Sequence, residues 1–175
     1  TIVDNGSTDK TKVISEDLIK QKIVDKYLYL SQKGRGRAIK IAISKSNADI
    51  VSYMDIDLST DLDSLLPLIK SIAKDKYDIA IGSRLSKESI VIGRKKIREF
   101  TSRSYNLLIK FFFPFSRIDD MQCGFKAFSR IKILTALNLV TNTRWFFDTE
   151  FIIIARNLNL SIYQLPVKWT DDPNT

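Results

Sequence analysis

The chain contains no histidine and a single cysteine, Cys123. Without histidine it can form neither a Ser-His-Asp triad nor a histidine-ligated metal site. One cysteine excludes a disulfide within the chain and a cysteine-based zinc site, and we interpret Cys123 as a small buried hydrophobic residue. No apolar run approaches the ~20 residues that a membrane-spanning helix requires.

The remaining composition is typical of one globular domain. The 175 residues are 44% hydrophobic and 27% charged, which is ordinary for a folded protein and unlike a disordered one. A chain of this length can bury a core without disulfides or metals. We therefore expect residues 1–175 to form a single domain.

Positive charge is concentrated in one part of the chain. Lysine and arginine together number 28 against 20 acidic residues, a net charge of +8, and residues 84–132 hold this whole excess. Such a block predicts an anionic partner, either a phosphate group, a nucleic acid or an acidic lipid surface. A solvated helical face without a partner is an equally good explanation of charge alone. We expect no nucleic acid partner, because no nucleic-acid-binding fold pattern is recognisable.

Short apolar runs alternate with helical patterns in the first half of the chain, which predicts an α/β fold with a mostly parallel sheet flanked by helices. The predicted strands are residues 2–3, 26–30, 49–54 and 77–81, and the predicted helices are residues 8–20, 36–46 and 62–74. Pro67 fits the third helix if Ser64 is its N-cap. Because the chain enters at the end of a strand, we expect a first N-terminal strand to be missing.

The second half follows a different pattern. It predicts a long basic and apolar helix over 94–113, a turn over 114–120, a strand over 124–129, a helix over 147–158 and a final strand over 161–169. The apolar residues of 107–115 have two possible roles. They pack on the sheet as core, or some of them line a lipid entrance and enter a membrane interface beside Lys110 and Arg117.

Two carboxylates, Asp55 and Asp57, follow an apolar strand. Ligands of α/β sheets bind outside the carboxyl ends of strands, and residues two apart on a strand face the same side. Both aspartates can therefore converge on one hard cation, Mg²⁺ or Mn²⁺, that also holds a diphosphate. Two aspartates in an ordinary turn are the alternative explanation.

Two further turns precede predicted helices. Residues 4–11 carry a glycine and several capping residues, which is typical of a strand-to-helix turn, and Asp4 is a candidate acceptor for the N–H of a nucleotide base. In residues 33–38, Gly34 and Gly36 precede a helix and leave backbone N–H groups free for a diphosphate beside three cations. Taken alone, residues 4–11 are better explained by simple helix capping, and the Gly-x-Gly of residues 33–38 is weak evidence because a basic helix start is often only solvated.

Five motifs in this order resemble a known family. They are Val-Asp-Asn-Gly-Ser at 3–7, Lys-Gly-Arg-Gly at 33–36, Met-Asp-Ile-Asp-Leu-Ser at 54–59, Ile-Gly-Ser-Arg at 81–84 and Asp-Met-Gln-Cys-Gly-Phe-Lys at 120–126. Together they resemble glycosyltransferase family 2, which has the inverting GT-A fold, and within it the polyprenyl-phosphate and dolichyl-phosphate sugar transferases. The stretch 122–128 favours the glucosyl type.

This resemblance implies a metal-dependent hexosyltransferase with a divalent cation, Mg²⁺ or Mn²⁺, as cofactor. The implied donor is UDP-glucose, with GDP-mannose second, and the implied acceptor is polyprenyl or dolichyl phosphate. The implied location is the cytoplasmic face of a membrane, through peripheral contact with an anionic surface or an anchor outside this chain. Family members begin with a strand and loop that complete the nucleotide pocket, and we expect the sequence from residue 1 onward to start after them.

The resemblance also implies residue roles. The metal ligands are Asp55 and Asp57, and the donor contacts are these two with Asp4, Gly34 and Arg35. The acceptor-phosphate group is Arg84, Arg98, Ser102, Asp120, Gln122 and Lys126. Asp57, Arg84 and Arg98 carry catalysis, whereas the roles of Asp148 and Glu150 stay open.

A phosphate acceptor fits a chain without histidine. Its second pKa is about 6, so it arrives as an anion at neutral pH and needs no general base. Two other hypotheses remain open at this point. One is a family 2 enzyme acting on a hydroxyl acceptor, with Asp120 or Asp148 as base, and the other is an inactive module that binds nucleotide or membrane.

Overall fold

In a computed structural model, the structure describes residues 1–114 and 117–171. Within these residues it contains eight strands and six α-helices. The strands are β1 Ile2–Asp4, β2 Tyr27–Tyr29, β3 Ile50–Met54, β4 Ile79–Ser83, β5 Ile90–Ile92, β6 Phe125–Ser129, β7 Ile162–Pro166 and β8 Lys168–Thr170. The helices are α1 Thr11–Lys20, α2 Arg35–Ser44, α3 Leu65–Ala73, α4 Lys96–Phe112, α5 Arg130–Leu139 and α6 Phe147–Asn157.

The central sheet has four strands in the order β3-β6-β4-β7. Strand β6 runs antiparallel to both of its neighbours, and β4 pairs with β7 in parallel. Two smaller parallel pairs, β1 with β2 and β5 with β8, stand beside it. The predicted α/β fold with flanking helices is confirmed, and its central sheet is mixed because β6 inserts in the opposite direction.

Apolar side chains cover both faces of the central sheet. On β4, Ile79 and Ile81 point to one core with helices α2, α5 and α6, whereas Ala80 points to a second core with Leu68 of α3. This alternation follows from the two-residue period of a strand. The sheet therefore lies between two layers of helix.

The direction of β6 determines where the loops meet. Strands β3 and β4 both run antiparallel to β6, so their carboxyl ends lie at the same edge of the sheet as the start of β6. Backbone contacts confirm this placement, because the Asp55 N–H donates to the Gly124 carbonyl at 3.0 Å. The loops after β3 and β4 and the loop before β6 therefore form one surface.

Several sequence predictions differ from the structure in detail. The predicted helix over 62–74 is a short 3₁₀ turn at Leu62–Ser64 followed by α3, with Ser64 at the N-cap position and Pro67 in the first turn. The predicted final strand is two strands that are separated at Val167. Strand β5 and helix α5 were not predicted, and residues 115–116 of the predicted turn lie outside the described residues.

No helix among the described residues has both the length and the apolar character needed to cross a membrane.

Candidate active site

A cavity of about 280 Å³ opens at the edge of the sheet where these loops meet. Its lining includes Asp55 and Asp57 from the turn after β3, Arg84 directly after β4, Arg98 from α4 and Gln122 from the turn before β6. Residues that are far apart in sequence therefore line one cavity. The predicted carboxylates and the predicted arginines face the same cavity.

Asp55 and Asp57 lie in a turn rather than on the strand itself, because β3 ends at Met54. A Cβ atom on Gly124 would lie 1.7 Å from the Asp55 Oδ2, so glycine is required there for the carboxylate to lie against the backbone. The Asp57 Oδ1 accepts a hydrogen bond from the Ser59 N–H at 3.0 Å. Leu58 between them has a φ of 54°, which is the left-handed region and turns the chain sharply.

The donor set of this turn fits a divalent cation that is shared with a ligand. In the described part of the chain, no three acidic, histidine or cysteine side chains are grouped closely enough to hold an ion alone. Magnesium is commonly bound by one or two carboxylates, with substrate phosphates and water as the remaining ligands. The pair Asp55 and Asp57 is suited to that arrangement, in which a diphosphate would complete the coordination.

Arg35 links the glycine motif to this turn. Its Nη2 lies 3.0 Å from the Asp55 Oδ1, and its Nη1 donates to Asp148. The guanidinium also lies over the rings of Tyr53 and Trp145, at 5.6 and 5.4 Å. Burial alone would lower the pKa of Arg35, but Asp148, Tyr53 and Asp55 together outweigh it and the pKa is raised. Arg35 therefore stays charged and orients Asp55.

Lys126 is not brought to the cavity. Its side chain is fully buried on the α6 side of β6, where Nζ lies 2.7 Å from the Asp148 Oδ1 and donates to the Cys123 carbonyl. Asp148 also accepts from Tyr53, so one buried carboxylate holds Lys126, Tyr53 and Arg35. The predicted contact of Lys126 with an acceptor phosphate does not fit this position, because its ammonium is enclosed in the core.

The two glycines of the predicted diphosphate loop meet specific packing demands. A Cβ on Gly34 would lie 2.5 Å from the Thr143 carbonyl oxygen, and a Cβ on Gly36 would lie 2.5 Å from the Cβ of Phe147. The Gly34 N–H donates to the Asn5 Oδ1 at 2.6 Å. The glycines therefore allow the start of α2 to approach the segment that leads into α6.

Asp4 lies at the end of β1, outside the lining of the cavity. Its Oδ2 accepts from the Tyr27 hydroxyl at 2.6 Å and its Oδ1 from the Ser7 N–H at 2.7 Å. The Tyr27 hydrogen bond, with weaker contributions from Ser7, lowers the pKa of Asp4 although burial opposes this. In this structure Asp4 holds the turn that follows β1.

Arg84 is fixed by a buried carboxylate. Its Nε and Nη2 donate to the two oxygens of Asp120 at 2.7 and 2.8 Å, and its backbone N–H donates to the same residue at 3.0 Å. Burial alone would raise the pKa of Asp120, but the hydrogen bonds and charge of Arg84 lower it. Asp120 was predicted among the acceptor contacts, but the structure buries it behind Arg84, where it orients the guanidinium toward the cavity.

Two more arginines complete a cationic wall. Arg98 Nη1 lies 2.6 Å from the Asp171 Oδ1, and Arg94 Nη2 donates to the Ser102 hydroxyl. The guanidinium groups of Arg84 and Arg94 lie over the Trp169 ring at 5.6 and 5.5 Å. Burial, followed by the charge of Arg84, lowers the pKa of Arg94. This repulsion between neighbouring cations favours an anion at the wall.

A second, more apolar cavity of about 400 Å³ adjoins the first. The two share Arg84, Gln122 and Trp145 in their linings, and the larger one adds Ser102 and Tyr105 from α4. Gln122 Nε2 donates to the Thr149 hydroxyl at 2.6 Å, which fixes its side chain between the two spaces. One ligand can therefore place its polar head in the smaller cavity and its apolar chain in the larger one.

Sequence reasoning did not identify three aromatic residues of the site, namely Trp145, Trp169 and Tyr105. Trp145 directly precedes the Phe-Phe-Asp stretch that contains Asp148. This position in the sequence could have indicated that Trp145 belongs to the site. Glu150 has a structural role, because its carboxylate accepts from the N–H groups of Thr141 and Asn142. Burial raises the pKa of Cys123 to about 12, so its thiol stays neutral and is no nucleophile.

Comparison with protein-family models finds a match to glycosyl transferase family 2 over residues 1–134. The chain is 31% identical over 175 residues to glycosyltransferase AglD of Haloferax volcanii, covering 99% of this chain and 28% of that protein. It is also 31% identical over 182 residues to the dolichyl-phosphate beta-glucosyltransferase of Drosophila melanogaster, covering 97% of this chain and 55% of that protein. The human dolichyl-phosphate beta-glucosyltransferase is 29% identical, again over 97% and 55%.

The fold matches solved structures of glucosyl-3-phosphoglycerate synthase from Mycobacterium tuberculosis. One has a TM-score of 0.71 at 17% identity and covers 99% of this chain and 60% of that one. Another, with Mn²⁺, uridine diphosphate and glucosyl-3-phosphoglycerate, has a TM-score of 0.67 at 16% identity, over 98% and 61%. The chain thus has a GT-A-like fold and spans at most about half the length of the curated relatives named above.

Proposed function

We propose, from the premise that this chain belongs to glycosyl transferase family 2, that it moves glucose from UDP-glucose to a dolichyl or polyprenyl phosphate. The names of its relatives support this reaction. The observation that carries the proposal is that Asp55, Asp57, Arg84 and Arg98 line one cavity. The carboxylates suit a metal-bound diphosphate, and the arginines suit a second phosphate.

The donor lies on the carboxylate side in this proposal. A bound Mg²⁺ or Mn²⁺ would neutralise the charge of the departing nucleoside diphosphate. Asp55 and Asp57 would hold the cation, and Arg35 orients Asp55 through its ion pair. Asp4 and Gly34 contribute through the turns that they fix beside this wall.

The acceptor phosphate lies on the arginine side. Arg84 and Arg98 bind its oxygens, because a guanidinium fork matches phosphate geometry and stays charged. Ser102 and Gln122 line the space beyond them, where the first carbons of the prenyl chain enter the larger cavity. The arginines place a phosphate oxygen in line with the sugar C1, so that the anomeric centre is inverted.

A hydroxyl acceptor is less well supported, because it would need a general base. The candidates were Asp120 and Asp148, and both are buried carboxylates that accept from cationic groups. These contacts keep the pKa of each below its ordinary value although burial opposes them. A carboxylate held in this state is a weak base and has no free path to a substrate proton.

We also propose that the protein works on an anionic membrane surface, at the cytoplasmic face. The positive block of residues 84–132 supports this location, because it holds the whole net charge and includes the arginine wall. A lipid acceptor would then reach the site from the surface to which the basic residues are attracted.

Sugar transfer tests the proposal directly. Labelled UDP-glucose and GDP-mannose are each incubated with the chain, dolichyl phosphate and Mg²⁺ or Mn²⁺, and lipid-linked sugar is extracted and counted. We expect transfer from UDP-glucose that is lost in excess EDTA. Transfer from GDP-mannose alone would replace the donor, and full activity in EDTA would remove the metal.

Two variants separate the walls of the cavity in the same assay. Asp57→Asn should reduce kcat at least 100-fold and abolish the response to Mn²⁺, whereas the exposed Asp63→Asn should behave as wild type. Arg98→Ala should raise the KM for dolichyl phosphate about tenfold or more, with UDP binding unchanged. Unaltered acceptor kinetics in Arg98→Ala would remove the assigned role of Arg98.

A further inference from the structure

Helix α4 carries a row of large apolar side chains that face solvent. Ile97, Phe100, Leu107 and Phe111 are between 66% and 78% exposed. The same helix already has a packed side, where Ile109 is 7% exposed and belongs to the main core. The exposed row, which we call the α4 apolar stripe, is therefore not required to attach the helix to the sheet.

The helical repeat places this stripe next to the site. At 3.6 residues per turn, the four stripe residues fall on one side of α4. Turning around the helix in one direction brings Thr101, Ser102 and Tyr105, which line the larger cavity. Turning in the other direction brings Lys96, Arg103 and Lys110. The stripe is thus bordered by the cavity on one flank and by cations on the other.

The charge around the stripe is strongly positive. Residues 94–112 contain six basic side chains and one acidic one, Glu99. Arg98 and Lys110 have partners outside this segment, Asp171 and Asp119, and a positive excess remains after both are counted. A second copy of this chain would bring the same positive surface and be repelled. An acidic lipid surface supplies negative headgroups for the cations and an acyl layer into which the apolar side chains can insert.

We propose that the α4 apolar stripe docks into the interfacial layer of an anionic membrane and so holds the larger cavity open toward the lipid. Lys96 and Arg103 contact the headgroups, and Phe100 and Phe111 enter the acyl boundary. The functional consequence of this placement, which is access of a lipid acceptor to the larger cavity, rests on the proposed function. Docking itself depends only on the helix surface and can be measured without donor or acceptor.

Vesicle binding provides the test. The chain is sedimented with vesicles of phosphatidylcholine containing about one third phosphatidylserine, and with phosphatidylcholine alone, at low and high salt. We expect binding to the anionic vesicles that weakens in salt. The double variant Phe100→Glu with Phe111→Glu should bind roughly tenfold or more weakly. The matched double variant Ile131→Glu with Leu139→Glu, at two exposed positions of α5, should bind as wild type.

The matched control changes net charge by the same amount, so only the position differs. Equal losses in both double variants would reduce the effect to net charge and overturn the proposal. Absence of vesicle binding by the wild type would also overturn the proposal. So would a wild-type dimer in solution that the α4 double variant does not form.

A soluble acceptor separates this proposal from the proposed function. With a ten-carbon prenyl phosphate in water, the α4 double variant should transfer sugar at the wild-type rate. Lack of transfer by the wild type would contradict the proposed function and leave the vesicle result unaffected. Loss of transfer to the soluble acceptor in the variant alone would mean that the stripe serves the site itself and not a membrane.

Discussion

At the scale of single residues, the least expected feature is the charge cluster around Asp148. Lys126 and Asp148 are both fully buried, with Nζ and Oδ1 at 2.7 Å. Breaking a buried ion pair by removing one partner typically costs 3–5 kcal/mol, because the remaining charge has lost its solvent and its counterion. Arg35 also contacts Asp148, and its other partner is Asp55. Asp148 therefore positions Arg35 as well as stabilising the core.

We predict that Lys126→Met lowers the free energy of unfolding by about 3 kcal/mol and leaves the KM for dolichyl phosphate unchanged. Urea unfolding followed by tryptophan fluorescence gives the first value, and initial rates give the second. A stable Lys126→Met protein with a raised acceptor KM would return Lys126 to the acceptor group that the sequence motif implied.

The double variant Lys126→Met with Asp148→Asn serves as the control. Since it removes both charges of the pair, it should be more stable than the sum of the two single changes predicts. It should also raise the metal concentration needed for half-maximal activity, because Arg35 loses the carboxylate that holds it beside Asp55. Simple additivity in stability would argue against a direct interaction between the two side chains.

The residue types of the site were largely predictable, but their orientations were not. Asp55, Asp57, Arg84 and Arg98, all predicted site residues, line the smaller cavity, because strand ends and motif order constrain them. The burial of Lys126 depends on which face of β6 meets α6. That is a long-range packing choice which no local pattern encodes.

At the scale of elements, the contact between α2 and α6 sets the position of Arg35. Gly36 lies in the first turn of α2, directly against Phe147 at the start of α6. A Cβ added to Gly36 would lie 2.5 Å from the Phe147 Cβ and 2.7 Å from its ring. Neither is the end of a flexible side chain, so the helices would have to separate.

Gly36→Ala should therefore destabilise the fold by roughly 1–3 kcal/mol, the usual cost of overpacking. The better helix propensity of alanine, worth about 1 kcal/mol, offsets part of that. Thermal and urea unfolding measure the net effect. Ser44→Ala, at the exposed far end of the same helix, should stay within about 0.5 kcal/mol of wild type. A Gly36→Ala protein of unchanged or higher stability would show that the two helices are not closely packed.

Periodic elements were predictable and directional ones were not. The apolar repeat of α3 and the position of Pro67 located that helix within a few residues of its observed bounds. The direction of β6 was not predictable, because an apolar run does not indicate whether a strand pairs in parallel or antiparallel. The division of the last strand at Val167 follows from β8 pairing with β5, a distant three-residue strand that the sequence pattern did not reveal.

At the scale of the whole molecule, two buried carboxylates join separate parts of the chain. Asp120 connects the turn before β6 to the end of β4 through Arg84, and Asp148 connects α6 to α2 and β6. Burial opposes ionisation in both, but Arg84 for Asp120 and Lys126 for Asp148 lower the folded-state pKa below the ordinary value. In the unfolded chain an aspartate has a pKa of about 3.9. Both carboxyl groups therefore bind a proton less tightly in the folded state than in the unfolded state.

A lowered carboxyl pKa stabilises the folded state at pH values above the unfolded pKa, and this stabilisation is lost as pH falls toward the folded pKa. We therefore predict that the contribution of Asp120 and Asp148 to the free energy of unfolding is constant from about pH 7 to pH 5. It should fall steeply below about pH 4, by up to about 1.4 kcal/mol per pH unit for each carboxyl. Urea midpoints across pH 2.5–7 measure the profile. Asp148→Asn should be less stable at pH 7 and have a flatter acid limb, whereas Asp25→Asn on the surface should reproduce the wild-type curve. An acid limb of unchanged slope in Asp148→Asn would show that this buried charge network does not govern the acid stability of the protein.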